Sequence, residues 1–181
     1  ANVGFEIVPG VSSVTAVPAY AGVPLTDKKH REIAVVNCSD AKVDWTQYAD
    51  DRTLVLLSAV SAIADVAAAL VEAGRSPETP VAMTRVGTTT EQETLVSTLG
   101  RVGSDARAAR MAPPAVTVVG DVVDLRAALS WFETKPLFGW RVLVPRTKEQ
   151  AGALSARLRG YGSVPEEVPT ISVEPPRNPL Q

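Results

Sequence analysis

The sequence predicts an α/β protein built on a mixed sheet of about five strands, and three features point to it. Thr53–Leu57 (TLVLL) and Ala115–Val119 (AVTVV) are unbroken apolar runs of strand length, as in strands buried on both faces. Between them Ile63, Val66, Ala67, Leu70 and Val71 recur at the spacing of one helix face. Residues 91–99 alternate strand-wise, with Gln92, Thr94, Val96 and Thr98 on one side and Glu93, Leu95 and Ser97 on the other, which predicts a strand antiparallel to its neighbour.

The remaining elements follow in order. Residues 5–8 (FEIV) are expected to form a strand that Pro9-Gly10 stops at once. Val14, Val17, Pro18 and Ala21 fall at i, i+3, i+4 and i+7, a helix face, and Gly22 with Pro24 ends that helix. A lone strand is not stable, so the chain is expected to begin inside a domain. Residues 32–38 (EIAVVNC) read as a strand, and residues 41–51 as a short covering helix through Trp45 and Tyr48. Ser58 or Ser61 starts the apolar helix and Gly74 closes it. Residues 80–86 are the next strand, and this strand–helix–strand order predicts a parallel stretch of sheet. Residues 100–110, rich in Gly and Arg, give no clear assignment. Beyond Pro113-Pro114 and the AVTVV strand, Gly120 leads into a helix expected to run through Leu125, Leu129 and Phe132.

The pattern then restarts. Residues 133–136 (ETKP) read as a linker and 140–144 as a strand. Thr147 is the expected N-cap of an amphipathic helix over 148–161, with Ala151, Leu154, Leu158 and Tyr161 inward and Gly160 and Gly162 at its stop. Residues 167–173 read as a second strand, interrupted by Pro169. Two strands and a helix bury too little to fold alone, so the chain is also expected to end inside a domain.

Composition narrows the function. Of 181 residues, 45% are hydrophobic and 21% charged, as in ordinary globular proteins, and the net charge of −2 argues against a nucleic-acid surface. One cysteine, Cys38, excludes an internal disulfide and a cysteine-based metal cluster and fits a reducing cytoplasm. No signal-peptide pattern and no membrane-spanning apolar run occurs in the sequence. His30, between Lys29 and Arg31, is expected to be solvated.

Chemistry concentrates at the first helix. Ser12 and Ser13 stand at its entrance, where unpaired N–H groups and the dipole favour a carboxylate or phosphate. In a parallel sheet such an entrance lies at the carboxyl edge of the strands, where ligands bind. Ser at this position also serves as a plain helix cap, and spacing alone leaves both readings open. No paired Ser/His/Asp, Cys/His or carboxylate arrangement stands out, so no catalytic residue and no metal site is assigned.

Three stretches carry a resemblance. VPGVSSVTAVPAYAGVPLT, PVAMTRVGTTTEQ and AVTVVGDVVDLRAALSWF resemble the uroporphyrinogen-III C-methyltransferases of the tetrapyrrole methylase family, from Phe5 to Phe132. LFGWRVLVPRTKEQAGALSARLRGYG, followed by VPTISVEPP, resembles the opening of a uroporphyrinogen-III synthase. The resemblance implies that residues 1–26 end a first methylase domain and 27–132 form a complete second one. Residues 133–136 would then be a linker, and 137–181 the first βαβ piece of a synthase. It implies S-adenosyl-L-methionine as methyl donor, with S-adenosyl-L-homocysteine as product, held between two α/β domains. Residue by residue, Ser12, Ser13, Ser58 and Gly87 match cofactor-binding positions. Gly87 has its own logic, since a missing Cβ lets a flat ring approach the backbone, although a tight turn also explains it. Ser58 is equally a helix cap.

The implied reaction is C-methylation of uroporphyrinogen III to precorrin-2, fused to cyclisation of hydroxymethylbilane, in a cytoplasmic homodimer acting on a small tetrapyrrole. Neither nucleic acid nor membrane is implied as a partner. Two departures stand out: Ser58 replaces a Met frequent in relatives and so lacks its thioether packing, and Asp27-Lys28 stands where many relatives read His-Arg. The alternatives are a non-catalytic dimerisation or cofactor-retention module, or another enzyme of this fold such as a ribosomal RNA ribose methyltransferase or diphthine synthase.

Overall fold

A computed structural model describes residues 3–39, 42–146 and 148–169. The chain divides into two compact units, residues 1–131 and 132–181.

The first unit is a five-stranded sheet between two layers of helix. Helix α1 (Ser13–Ala21) is followed by strands β1 (Ile33–Asn37) and β2 (Thr53–Leu57), helix α2 (Ile63–Glu72) and strands β3 (Pro80–Arg85) and β4 (Glu93–Thr98). Helix α3 (Val102–Ala108), strand β5 (Ala115–Val119) and a short helix α4 (Arg126–Leu129) complete it. The strand order is β1-β2-β5-β3-β4. β1 and β2 are parallel, while β2–β5, β5–β3 and β3–β4 are antiparallel.

Strand β2 shows why such runs are apolar throughout. Leu54 and Leu56 face one side and meet Ile63, Val66, Leu70 and Val102 of α2 and α3. Val55 faces the other side and meets Val17 of α1 and Val116. A second cluster on the α1 side joins Ala21 and Val23 to Ala82, Val118, Val122 and Val123. Each residue of the alternation therefore has a covered face to enter, and no polar position is needed. The unassigned stretch at 100–110 is helix α3, and Gly103 explains its composition. A Cβ there would lie 2.8 Å from the Ala64 Cβ, so glycine lets α3 seat closely on α2.

Several expectations are corrected. Residues 5–8 pair with no strand among the described residues, and Phe5, Ile7 and Val8 are at least 80% exposed. Without a neighbour to take its hydrogen bonds, an apolar run does not make a strand. The β2–α2–β3 segment does run in one direction, but its strands are not neighbours, because antiparallel β5 inserts between them. The helix after Gly120 is a 3₁₀ turn (Asp121–Leu125) followed by α4, with Val122 and Val123 buried while Leu125 and Leu129 are exposed. The tighter 3₁₀ winding rotates the buried face away from the α-helical stripe.

His30 is likewise buried, not solvated. The Asp27 carboxylate accepts the backbone N–H groups of Lys29 (2.8 Å) and His30 (2.6 Å), which folds the loop back and draws the ring in. The His30 Nδ1 then lies 3.1 Å from Asp27 and its Nε2 3.5 Å from Asp121.

The second unit holds β6 (Arg141–Val144), α5 (Lys148–Gly160) and β7 (Val164–Glu167), with β6 and β7 parallel. This is the expected βαβ order with two shifts. Among the described side chains of α5 the buried ones are Ala151 and Ser155, four residues apart, whereas Leu154 and, just past the helix, Tyr161 are exposed and Leu158 is half-buried. The second strand begins three residues early, at Val164, and pairs Pro165 with Val142. An edge strand tolerates proline because its N–H side faces no partner. Thr147 and residues 170–173 lie outside the described residues.

Candidate functional site

Topology alone fixes where a ligand can sit. β1, β2 and β3 run in the same direction, so Asn37, Leu57 and Arg85 end at one edge of the sheet, where antiparallel β5 begins with Ala115. Loops leaving that edge enclose a cavity of about 790 Å³, within the range of small-molecule sites. Cys38 and Ser39 follow β1, Ser58 and Ser61 follow β2, and Val86, Gly87 and Thr89 follow β3. Pro113-Pro114 precedes β5, and Ser13 and Val17 of α1 form the remaining wall.

The lining mixes apolar surface (Val17, Leu57, Val60, Val116) with hydroxyls of Ser13, Ser58, Ser61 and Thr84, and among the described residues none of the lining is charged. Thr84 is buried and shares a 3.0 Å hydrogen bond with Thr94 Oγ1. Burial raises the pKa of the Cys38 thiol, which keeps it neutral near pH 7 and makes it a poor nucleophile. Among the described residues no group of three His, Cys, Asp or Glu side chains is placed to hold a metal, and no helix is long and apolar enough to cross a membrane.

Three of the four sequence-derived candidates, Ser13, Ser58 and Gly87, line this one cavity. Ser12 does not: it is the N-cap of α1, its Oγ accepting the Val14 N–H at 3.2 Å, while Ser13 reaches the hollow. Ser58 is no helix cap. It sits just past β2 with φ +57°, and α2 begins later, behind a 3₁₀ turn over Val60–Ala62. Gly87 has a further reason to be glycine besides the one expected. A Cβ there would meet Val17 Cγ1 at 2.6 Å, so the absent side chain lets the turn lie against α1.

Strain gathers at the rim. Among the described residues four non-glycine residues have positive φ, and three of them, Ser58, Val86 and Thr88, belong to the turns after β2 and β3. For β-branched Val86 and Thr88 this conformation is costly, and such residues cluster at ligand sites. Sequence reasoning missed Cys38, Ser39, Thr84 and the Pro113-Pro114 wall. Their signal was present: each stands at the end of a co-directional strand or at the start of the antiparallel one between them.

Comparison with known proteins agrees with the fold. The family model for tetrapyrrole (corrin/porphyrin) methylases matches residues 1–103, more than half of the chain, and the chain belongs to this family. It is 34% identical over 185 residues to the porphyrin biosynthesis protein HemD of Ruminiclostridium josui, covering 98% of this chain and 37% of that protein. It is 31% identical over 173 residues to the uroporphyrinogen-III C-methyltransferase of Bacillus subtilis, covering 90% of this chain and 35% of that one. Among solved structures, the uroporphyrin-III C-methyltransferase of Thermus thermophilus, complexed with S-adenosylhomocysteine, matches with TM-score 0.57 and 29% identity, over 65% of this chain and 51% of that one. The chain thus spans little more than a third of the length of the curated relatives it matches.

Proposed function

We propose that this chain carries part of a uroporphyrinogen-III C-methyltransferase, and that the cavity at the carboxyl edge of β1, β2 and β3 holds S-adenosyl-L-methionine. The observation that carries the reading is the convergence of Ser13, Ser58 and Gly87 on one hollow of nucleoside size whose described lining is uncharged. Its apolar walls suit an adenine ring and its hydroxyls a ribose. The entrance of α1, with its positive dipole end and the Ser13 hydroxyl, suits the carboxylate of the methionine portion.

When bound, the cofactor supplies an electrophilic methyl on a sulfonium. That chemistry would be methyl transfer to a tetrapyrrole ring carbon, with the electron pair of the C–S bond left on sulfur and a proton released from the ring. The residues lining the cavity bind, orient and exclude water, which is where most of the rate of such a transfer arises. None of them is assigned to proton transfer. Residues 1–26 would belong to a first methylase domain and 27–132 to a second, with the substrate bound between the two lobes.

Residues 137–181, after a linker at 133–136, are read as the opening of a uroporphyrinogen-III synthase. The parallel β6–α5–β7 unit and a match to a porphyrin biosynthesis protein that runs over nearly the whole chain support this. The complete protein would be a cytoplasmic homodimer. Calorimetric titration of this chain with S-adenosylhomocysteine tests the cofactor assignment. Saturable one-to-one binding, weakened at least tenfold by Ser13→Leu, is the expected result, and a titration without heat contradicts it. Since residues 5–8 lack a sheet partner among the described residues, the chain alone is expected to transfer no methyl group to uroporphyrinogen III. Turnover by the purified chain would refute that expectation.

A further inference from the structure

We infer that Gln92 is a positioning residue that ties the two walls of the cofactor cavity together and sets its width. The inference rests on the reading of the cavity given above and adds a residue that does not line it. Gln92 is buried at 4% exposure, although its chain neighbours Glu91 and Glu93 are exposed. Its Oε1 accepts the Thr88 N–H at 2.8 Å, and its Nε2 donates to the Tyr20 carbonyl at 3.2 Å. One carboxamide thus spans from the Gly87 turn to the last turn of α1, two segments about seventy residues apart in sequence. The orientation is dictated by chemistry: a flipped amide would set N–H against the Thr88 N–H and oxygen against the Tyr20 oxygen.

Both walls need such a brace. Val86 (φ +46°) and Thr88 (φ +71°) hold conformations that cost free energy unless the surroundings enforce them. Thr89 Oγ1 secures one end of the turn by donating to the Val86 carbonyl at 2.8 Å. Gln92 secures the other end and hands the load to α1. Gly87 meanwhile rests on Val17 of the same helix. Ser13 and Val17 on one wall and Val86 and Gly87 on the other are therefore held in register by one side chain behind them. A cofactor wedged between those walls responds to shifts well below 1 Å.

Two variants separate this role from general support of the fold. Gln92→Met removes the hydrogen bonds to Thr88 and Tyr20 while keeping length and apolar volume. Gln92→Glu keeps an acceptor for Thr88 but replaces the donor to Tyr20. Leu70→Ala, a core truncation on the opposite face of the sheet, controls for lost stability. With S-adenosylhomocysteine as probe, both Gln92 variants are expected to bind at least tenfold more weakly than the wild-type chain, while Leu70→Ala stays within twofold as long as it is folded. Amide exchange at Thr88 is expected to speed up in Gln92→Met and to stay slow in Gln92→Glu. A folded Gln92→Met with wild-type affinity overturns the inference. If the wild-type chain itself takes up no probe, the cofactor reading falls, and the tether is judged by Thr88 exchange alone: unchanged exchange in Gln92→Met overturns it.

Discussion

Gly87 and Val17 show what one missing methyl group does. Adding a Cβ at Gly87 places it 2.6 Å from a β-branched side chain with little freedom to move. Gly87→Ala is therefore expected to cost about 1–3 kcal/mol in chemical denaturation. The same substitution in a Val17→Ala background should cost clearly less, and equal costs in both backgrounds would refute the contact. Gly22 is stricter. It caps α1 at φ +70°, and a Cβ would stand 2.6 Å from the Leu129 carbonyl oxygen, which is backbone and cannot rotate away. Gly22→Ala should lower stability by roughly 2–4 kcal/mol, the sum of a left-handed penalty and a backbone shift.

Asp27 gives a pH dependence at the same scale. Backbone N–H from His30, first, and then the His30 ring and the Lys29 N–H hold its carboxyl below the ordinary carboxylate range. A folded-state pKa below the unfolded one contributes stability that is fully present above about pH 4 and is lost as the pH falls through the folded value. Denaturation midpoints of wild type and Asp27→Asn should therefore differ at pH 7 and converge as the pH falls below the ordinary carboxylate range. A difference that persists there would contradict the assignment. The loop also answers the charge at Asp27-Lys28: the carboxylate is turned onto its own backbone and His30.

At the scale of elements, legibility followed periodicity. Thr53–Leu57 and Ala115–Val119 appear with the bounds read from sequence, because strands buried on both faces leave no polar residue to blur their ends. Helix α1 also matches, since Val17, Pro18 and Ala21 are buried and Gly22 is its left-handed cap. What stayed hidden was pairing. Neither strand composition nor helix spacing states that β5 would insert between β2 and β3, because that order is set by how the crossovers pack. Glu93–Thr98 was readable as antiparallel since only the short connection over residues 86–92 separates it from β3. Of the site, the helix entrance and the glycine turn were legible as local motifs. Thr84 and Cys38 carried only the signal of standing at strand ends, and Gln92 carried none, since its role arises from a neighbour far away in sequence. Arg75 belongs with these. It is buried, donates to the Tyr48 and Arg52 carbonyls at 3.3 and 2.8 Å, and has its pKa lowered by burial. Arg75→Met strands both carbonyls and should cost about 2–4 kcal/mol in thermal or chemical unfolding.

At the scale of the molecule, two units differ in how much they bury. The sheet of the first is covered on both faces, with Leu54, Leu56, Leu70, Val81, Met83 and Val119 fully enclosed. In the second, a two-stranded pair carries one helix whose described inward positions are Ala151 and Ser155. Amide protons of β6 and β7 are accordingly expected to exchange far faster than those of β2 and β5. Comparable protection in both units would show that the second is stable on its own.

The central claim is that the hollow between the α1 entrance and the turns after β1, β2 and β3 receives a nucleoside-bearing cofactor. The hydrogen-exchange footprint of S-adenosylhomocysteine on this chain tests it most directly. Protection is predicted at residues 57–61, 84–89 and 113–116 and at the start of α1, with none on α2 and α3. A footprint confined to α2 and α3, or no footprint at saturating ligand, would contradict the account.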